Sequence, residues 1–374
     1  MLIGVIKETK EYESRVALSP DAVKLLKKKE FEVIIESGAG AASFFSDQDY
    51  LDAGAKVGPA EEVFQAEMLL KVNLFTLDEI AQMKEKASCI SFMYAYQHPQ
   101  VIAALNAKSI TSFSMDAVPR ISRAQKMDAL SSQANLAGYK AVLLGANSLG
   151  KIFPLMMTAS GTITPAKVLI FGAGVAGLQA IATAKRLGAI VECTDVRPET
   201  KEQVESLGGR FLTVEGAEGV KVEGGYAKEV SAEYLEKQQQ LIRDKIKDAD
   251  LVITTALVMG KKSPILVTED MVKSMKAGSV IVDMAVESGG NCAISEKNAT
   301  VVKHGVTIIG ESNLPSLLPV NASNLYATNI TTLLLHLANN LGLNFDPEDE
   351  ITKGVLITHE GQLVHPFTKS ILQA

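Results

Sequence analysis

Val168-Leu169-Ile170-Phe171-Gly172-Ala173-Gly174-Val175-Ala176-Gly177 is the stretch that decides the fold. Its four apolar residues predict a buried strand, and residues 178–187, which follow without a break, predict a helix. The glycines between them are spaced G-x-G-x-x-G, and each position meets its own physical demand. Gly172 permits a tight turn, Gly174 lets the backbone approach a pyrophosphate, and Gly177 lets the helix lie close on the strand. Free N–H groups at the helix start then offer a place for the anion. Glycine spacing alone is weak evidence. Here, however, a second strand over 190–195 ends on Asp195, at the distance expected of the carboxylate that takes an adenosine ribose 2′-hydroxyl. An anion at that place repels a 2′-phosphate, so the motif points to NAD(H) rather than NADP(H), although Arg197 stands nearby.

Reading outward, strands at 251–255, 279–283 and 306–309 complete an α/β unit that begins near residue 167. An earlier unit has strands at 1–6, 31–35, 68–72, 89–92 and 109–114. Its first helix starts at Ser19-Pro20-Asp21, a capping serine followed by proline at the first helical position. After a second long helix at 323–341 the chain reads as strands at 354–358 and 363–364, and residues 212–239 read as a long loop. The expected architecture is α/β, with two Rossmann-like domains of parallel sheets joined by long helices near 130–145 and 323–341. The second domain is inserted into the first. Residues 1–130 and 320–374 form one domain and residues 131–319 the nucleotide-binding one.

Composition narrows the function. The 374 residues are 47% hydrophobic and 21% charged, with a net charge of −6, which argues against a nucleic-acid partner. Cys89, Cys193 and Cys292 have no metal-ligand spacing, the five histidines form no paired motif, and no metal is expected. No apolar run suits a membrane helix and the first residues do not read as a signal peptide, so the chain is expected to be soluble.

Residues 119–135, with Arg120, Arg123, Gln125, Lys126, Asp128, Ser131 and Asn135, gather charged and amide groups beside a helix of small residues. Composition leaves open a domain-linking helix cap or a substrate site. This loop, the run 172–186, the stretch 200–209 with Gly225-Tyr226-Ala227-Lys228, Thr254-Thr255-Ala256-Leu257, and segments 278–283 and 287–292 share one resemblance. They are similar to the NAD(H)-binding extramembrane component of proton-translocating nicotinamide nucleotide transhydrogenase, over nearly the whole chain.

The resemblance implies an enzyme of the Si-specific type that exchanges hydride between NAD(H) and NADP(H) held by a partner component. It implies that Arg120, Gln125, Asp128 and Ser131 pin the nicotinamide and its ribose, with Ile121, Ser122, Arg123, Lys126 and Met127 also lining the cofactor. Gln125 would reach toward the partner's NADP ribose. Val175 would lie on the pyrophosphate turn beside Gly172, Gly174 and Gly177, and Asp195, Val196 and Arg197 around the adenosine ribose. Gly225 and Tyr226 would belong to a loop closing over the nucleotide, and Leu257 would touch it from the next strand end. The implied partners are a second copy of the chain, the NADP(H)-binding component and a membrane proton-channel component. The implied location is the cytoplasmic face of a bacterial inner membrane or the matrix side of an organelle. Hydride passing between two like rings needs no general acid or base, and the loop offers no nucleophile–base pair.

Alanine dehydrogenase is the competing resemblance, sharing the opening 4–20 with Arg15, and the strand end at Lys71. There the lysine and arginine hold the substrate and a histidine follows the next strand. Here Tyr94 stands at that place and His98 comes later. A phenol titrating near pH 10 replaces poorly an imidazole titrating near neutrality. Arg15 and Lys71 are therefore read as structural or vestigial, and Glu287 to Cys292 as a tight loop near the nucleotide crevice.

Overall fold

Short runs of β-branched and apolar residues form the sheet strands, and the central strands of each sheet are buried on both faces, as parallel strands wrapped by helices must be. The computed structural model describes residues 1–214, 221–223, 226–229, 232–257 and 262–372. The chain divides into unit 1, Met1–Gln133 with Ser316–Ala374, and unit 2, Ala134–Pro315.

Unit 1 holds β1 (Leu2–Val5), β2 (Glu32–Glu36), β3 (Lys56–Gly58), β4 (Met68–Leu70), β5 (Ser88–Ser91) and β6 (Thr111–Ser114), with β20 (Leu356–His359) and β21 (Gln362–Leu363) near the C-terminus. Their order is β21-β20-β6-β5-β4-β1-β2-β3, which places the topological switch between β1 and β4. Helix Pro319–Leu337 packs on this sheet through Tyr326, Ile330, Leu333, Leu334 and Leu337, all fully buried in one cluster. Their spacing of three and four residues is the stripe of an amphipathic helix. Each such side chain contributes roughly 1.5–3 kcal/mol of burial. A short pair, β18 (Ala338–Asn339) with β19 (Gly342–Leu343), ends that helix.

Unit 2 carries an exposed hairpin, β7 (Met156–Thr158) with β8 (Gly161–Ile163). Its sheet comprises β9 (Lys167–Phe171), β10 (Ile190–Thr194), β11 (Arg210–Phe211), β14 (Leu251–Thr254), β15 (Val280–Asp283), β16 (Thr300–Lys303) and β17 (Val306–Ile309). The order is β11-β10-β9-β14-β15-β17-β16, with its switch between β9 and β14. A separate antiparallel pair joins β12 (Lys221–Glu223) to β13 (Tyr226–Glu229).

Helix Ala129–Ser148 owes its small residues to close backbone approach. Within unit 2, a Cβ on Gly138 would fall 2.1 Å from the Ala176 carbonyl oxygen, and one on Gly145 would fall 2.5 Å from Leu251 Cδ1. The three cysteines are buried. Burial pushes Cys89 up to about 12 and Cys292 up to about 11, so neither is a thiolate at neutral pH.

Three local expectations change. Both sheets are parallel except at their edges, where β20, β21 and β16 run antiparallel to their neighbours. Gly354 and Val355, expected to start a strand over 354–358, instead end helix Glu350–Val355, which the Asp349 carboxylate caps by accepting from the Ile351 and Thr352 amides. The stretch 212–239, read as loop, carries β12, β13 and the start of helix Ala232–Ile246.

Candidate dinucleotide site

At the carboxyl end of β9 the chain turns sharply. Gly172 has φ +101°, a left-handed value that a side chain would strain, and its amide donates to the Thr194 carbonyl at 2.9 Å. Thr255, just past β14, donates through its backbone amide and its Oγ1 to the Phe171 carbonyl, at 2.9 and 3.0 Å. A Cβ on Gly172 would fall 2.4 Å from that Oγ1, and one on Gly177 only 1.8 Å from the Gly172 carbonyl oxygen. A Cβ on Gly174 would meet only Arg197 Nη2, at 4.0 Å, so the backbone there faces open space. Helix Val175–Arg186 begins at this point with Gly174 as its cap and no side-chain cap bond. Its first N–H groups and dipole therefore suit a pyrophosphate.

Asp195 follows β10, the neighbour of β9. Its carboxylate is 5% exposed and accepts four bonds. Oδ2 takes the Ala173 amide at 2.6 Å and Arg197 Nη2 at 2.8 Å, while Oδ1 takes the Arg197 amide at 2.8 Å and Nε at 2.9 Å. The carboxylate thus shapes the glycine turn through Ala173. Val196 is half-buried and Val175 exposed beside it.

Leu257, 47% exposed, follows β14 on the other side of β9. Its approach is fixed by residues that the sequence reading did not assign. Asn291, fully buried, accepts from the Ala256 amide and donates to the Ala256 and Pro264 carbonyls. Asp283, also fully buried, accepts from Thr254 Oγ1, the Ala285, Asn291 and Cys292 amides and Ser295 Oγ. This network ties the loop at 284–292 to the end of β14. The available signal is a polar residue at the C-terminal end of two neighbouring strands, Thr254 of β14 and Asp283 of β15. Gly225 lies outside the described residues, and for Tyr226 the structure describes the backbone in β13.

In unit 1 the polar loop is a scaffold with its charges outward. Ala124 and Met127 are buried, while Arg120, Ser122, Arg123, Gln125 and Lys126 are exposed and Ile121 is intermediate. Asn329 of helix Pro319–Leu337 clasps the loop, donating to the Lys126 carbonyl and accepting from Ser132 Oγ. Asp128 precedes helix Ala129–Ser148 and accepts from the Ser131 amide at 2.8 Å and Ser131 Oγ at 2.5 Å. The sequence reading left a helix cap and a binding site open. Asp128 makes the cap bond, and the neighbouring polar side chains are presented to solvent. Arg123 pairs with Asp349 at 3.0 Å.

Beyond the ends of β1 and β4, unit 1 buries a cluster of ions. Arg15 lies bidentate on Glu13 and donates to Gln133. Lys71 donates to both oxygens of Glu79, and Glu8 accepts from the Val72 and Asn73 amides and the Asn73 side chain. Burial alone would raise Glu13, but Arg15, with Ser316 and Asn73, holds it down to about 2 from the ordinary 4.5. The sign follows: a folded-state value below the unfolded one gives stability that is complete above about pH 4.5 and lost as pH falls toward 2. Glu8, raised chiefly by burial, works in the opposite sense. Glu13→Gln is expected to lower stability at pH 7 by about 3 kcal/mol and to flatten its decline between roughly pH 4.5 and 2. Urea unfolding over that range checks it, and an unchanged slope would remove Glu13 from the acid response.

Two doubly wound sheets, one with a glycine turn at a helix start and a buried carboxylate at the end of the neighbouring strand, define an α/β protein of the dinucleotide-binding class. Residues 4–137 match the family model "Alanine dehydrogenase/PNT, N-terminal domain" and residues 141–366 the model "Alanine dehydrogenase/PNT, C-terminal domain". The chain belongs to the alanine dehydrogenase/PNT family. It is 48% identical, over 98% of both chains, to the first of the parts that make up the NAD(P) transhydrogenase alpha subunit of Rhodospirillum rubrum. Among solved structures it is similar to a transhydrogenase from Sinorhizobium meliloti, at 42% identity and TM-score 0.86 over 98% of this chain and 100% of that one. An L-alanine dehydrogenase shares the fold at TM-score 0.84 but only 30% identity, over 100% and 99% of the two chains. Within the family the sequence therefore stands nearer to the transhydrogenase branch.

Proposed function

We propose that this chain is the NAD(H)-binding component of a Si-specific, proton-translocating NAD(P) transhydrogenase, active only with an NADP(H)-binding partner. The observation that carries the reading is 48% identity along nearly the full length of a transhydrogenase alpha-subunit polypeptide, and the glycine turn of unit 2 supports it. Bound NAD(H) supplies or accepts the hydride at its nicotinamide ring. The chain's own residues bind and align. Gly172, Gly174, Val175 and Gly177 hold the pyrophosphate, Asp195, Val196 and Arg197 surround the adenosine ribose, and Leu257 touches the cofactor from beyond β14. Gly225 and Tyr226 belong to a segment that closes over it. Arg120, Gln125, Asp128 and Ser131, with Ile121, Ser122, Arg123, Lys126 and Met127, position the nicotinamide and its ribose. Gln125, exposed on its loop, also reaches toward the partner's NADP ribose. Alignment of two rings with water excluded is the catalytic device, and no side chain has to move a proton.

Two copies of the chain assemble with the NADP(H)-binding component and with a membrane component that conducts protons. The assembly places the chain on the cytoplasmic face of a bacterial inner membrane or the matrix side of an organelle. Among the described residues no helix is long and apolar enough to cross a membrane, and the proton path is assigned to the partner.

The test is to mix the chain with an NADP(H)-binding component and follow hydride exchange between NADPH and an oxidised NAD analogue. Exchange that needs both proteins is expected. Robust turnover of alanine or pyruvate by this chain alone would overturn the reading. Gln125→Asn should leave NADH affinity within about twofold while slowing exchange by about tenfold to a hundredfold, because a shortened arm misplaces the partner's ring. Equal losses of both would show that the residue serves binding alone.

A further inference from the structure

We infer that the Arg197 side chain is a displaceable occupant of the adenosine-ribose position: NAD(H) binds by exchanging places with its guanidinium, while the backbone of Arg197 stays beside the ribose. The inference rests on the reading that Asp195 takes that ribose. The carboxylate has about four acceptor directions, and four donors fill them. Two are backbone amides, Ala173 on Oδ2 and Arg197 on Oδ1, which belong to the turn itself. The other two come from one side chain, Nη2 on Oδ2 and Nε on Oδ1. When the side chain swings out, one acceptor direction opens on each oxygen while both backbone bonds stay. Two vacated acceptors side by side match the two adjacent hydroxyls of a ribose, which donate to a carboxylate in the same two-point manner.

The guanidinium is well placed for such an exchange. Its side chain is 17% exposed, more than that of Asp195, so the outer partner of the pair is the one that can move. Nη2 also lies 4.0 Å from where a Gly174 Cβ would stand, along the wall of the pyrophosphate turn. Binding then replaces a charge-assisted pair by ribose hydrogen bonds, and the apparent affinity is the intrinsic one multiplied by the fraction of molecules in which Arg197 is open. The closed arrangement also keeps the Asp195 charge compensated beside the buried Cys193, whose thiol burial pushes upward.

Kinetics separate this role from an ordinary contact. A closed side chain lowers the rate at which NADH enters and leaves the rate of departure unchanged, whereas a contact to bound nucleotide slows departure. The experiment is NADH fluorescence titration with stopped-flow association and dissociation, on the full chain and its Arg197→Gln and Arg197→Lys variants. Arg197→Gln is expected to tighten NADH by about threefold to tenfold through faster association, with dissociation unchanged. Arg197→Lys, which cannot make the two-point pair, should give a smaller gain and serves if Arg197→Gln unfolds. In an Asp195→Asn background, where the clasp has lost its charge, Arg197→Gln should give no gain. Unchanged or weaker binding in a folded variant, or a gain that persists with Asp195→Asn, would overturn the inference and leave the proposed function standing. A wild-type chain that binds no NADH would instead remove the proposed function itself.

Discussion

Gly177→Ala is expected to lower NADH affinity by about thirtyfold or more, the scale set by 2 kcal/mol or so of overpacking transmitted to the phosphate cradle. The added Cβ would lie 1.8 Å from the Gly172 carbonyl oxygen and 2.8 Å from its carbon. Both are backbone atoms, with no rotamer to turn away. Helix Val175–Arg186 must then lift from β9, and its first N–H groups leave the turn that they serve. Because Thr255 Oγ1 bonds the same carbonyls of Phe171 and Gly172, the displacement also reaches the end of β14. A drop in Tm of roughly 5 °C should accompany the loss, since 1 kcal/mol is worth a few degrees in a unit of this size. Fluorescence titration and thermal unfolding measure the two effects, and an unaltered affinity would mean that the glycine serves packing alone.

Asp195→Ala should weaken NADH by about tenfold to a hundredfold, the equivalent of roughly 1.5–3 kcal/mol for a hydrogen bond to a charged group. Two losses add. The ribose loses its carboxylate, and the buried Ala173 amide loses its acceptor at 2.6 Å, which slackens the glycine turn. Asp195→Asn keeps an oxygen for one of these donors and should fall between the two. If alanine and wild type bind equally, the adenosine ribose is held elsewhere.

The glycine turn, its strand and its helix were readable because each is local: spacing and apolar runs specify them within about thirty residues. So were the alternating strands and helices of both units, and the small-residue character of helix Ala129–Ser148. What the sequence hid depends on contacts distant along the chain. The clasp of Asn329 on the loop at 119–131 spans about two hundred residues, and no periodicity announces it. Asn291 and Asp283 look like ordinary loop and strand-end residues until their buried bonds to Ala256 and Thr254 are seen. The antiparallel edges were missed for a related reason, since an apolar run states that a strand is buried but not which way it runs. Asp349 was overlooked as a helix cap because the apolar residues after it suit a strand equally well. Arg197 is legible as a charge near Asp195 and, by resemblance, as a neighbour of the ribose, but its doubling back onto that carboxylate is a matter of rotamer, which sequence does not carry.

Because both sheets are wound in the same order, each has a crevice outside the carboxyl ends of its central strands, yet the two crevices differ in what they can admit. In unit 1 the chain has placed its own Glu8 carboxylate on the Val72 and Asn73 amides. That half is self-liganded by a carboxyl group that cannot diffuse away. In unit 2 the corresponding amides, of Thr255 and Ala256, are taken by the Phe171 carbonyl and the Asn291 side chain, and the glycine turn leads into helix Val175–Arg186 with no side-chain cap. A twofold repeat of architecture thus ends in two different ways: one half fills its strand ends with a tethered carboxyl group, and the other keeps a helix start that no side chain caps.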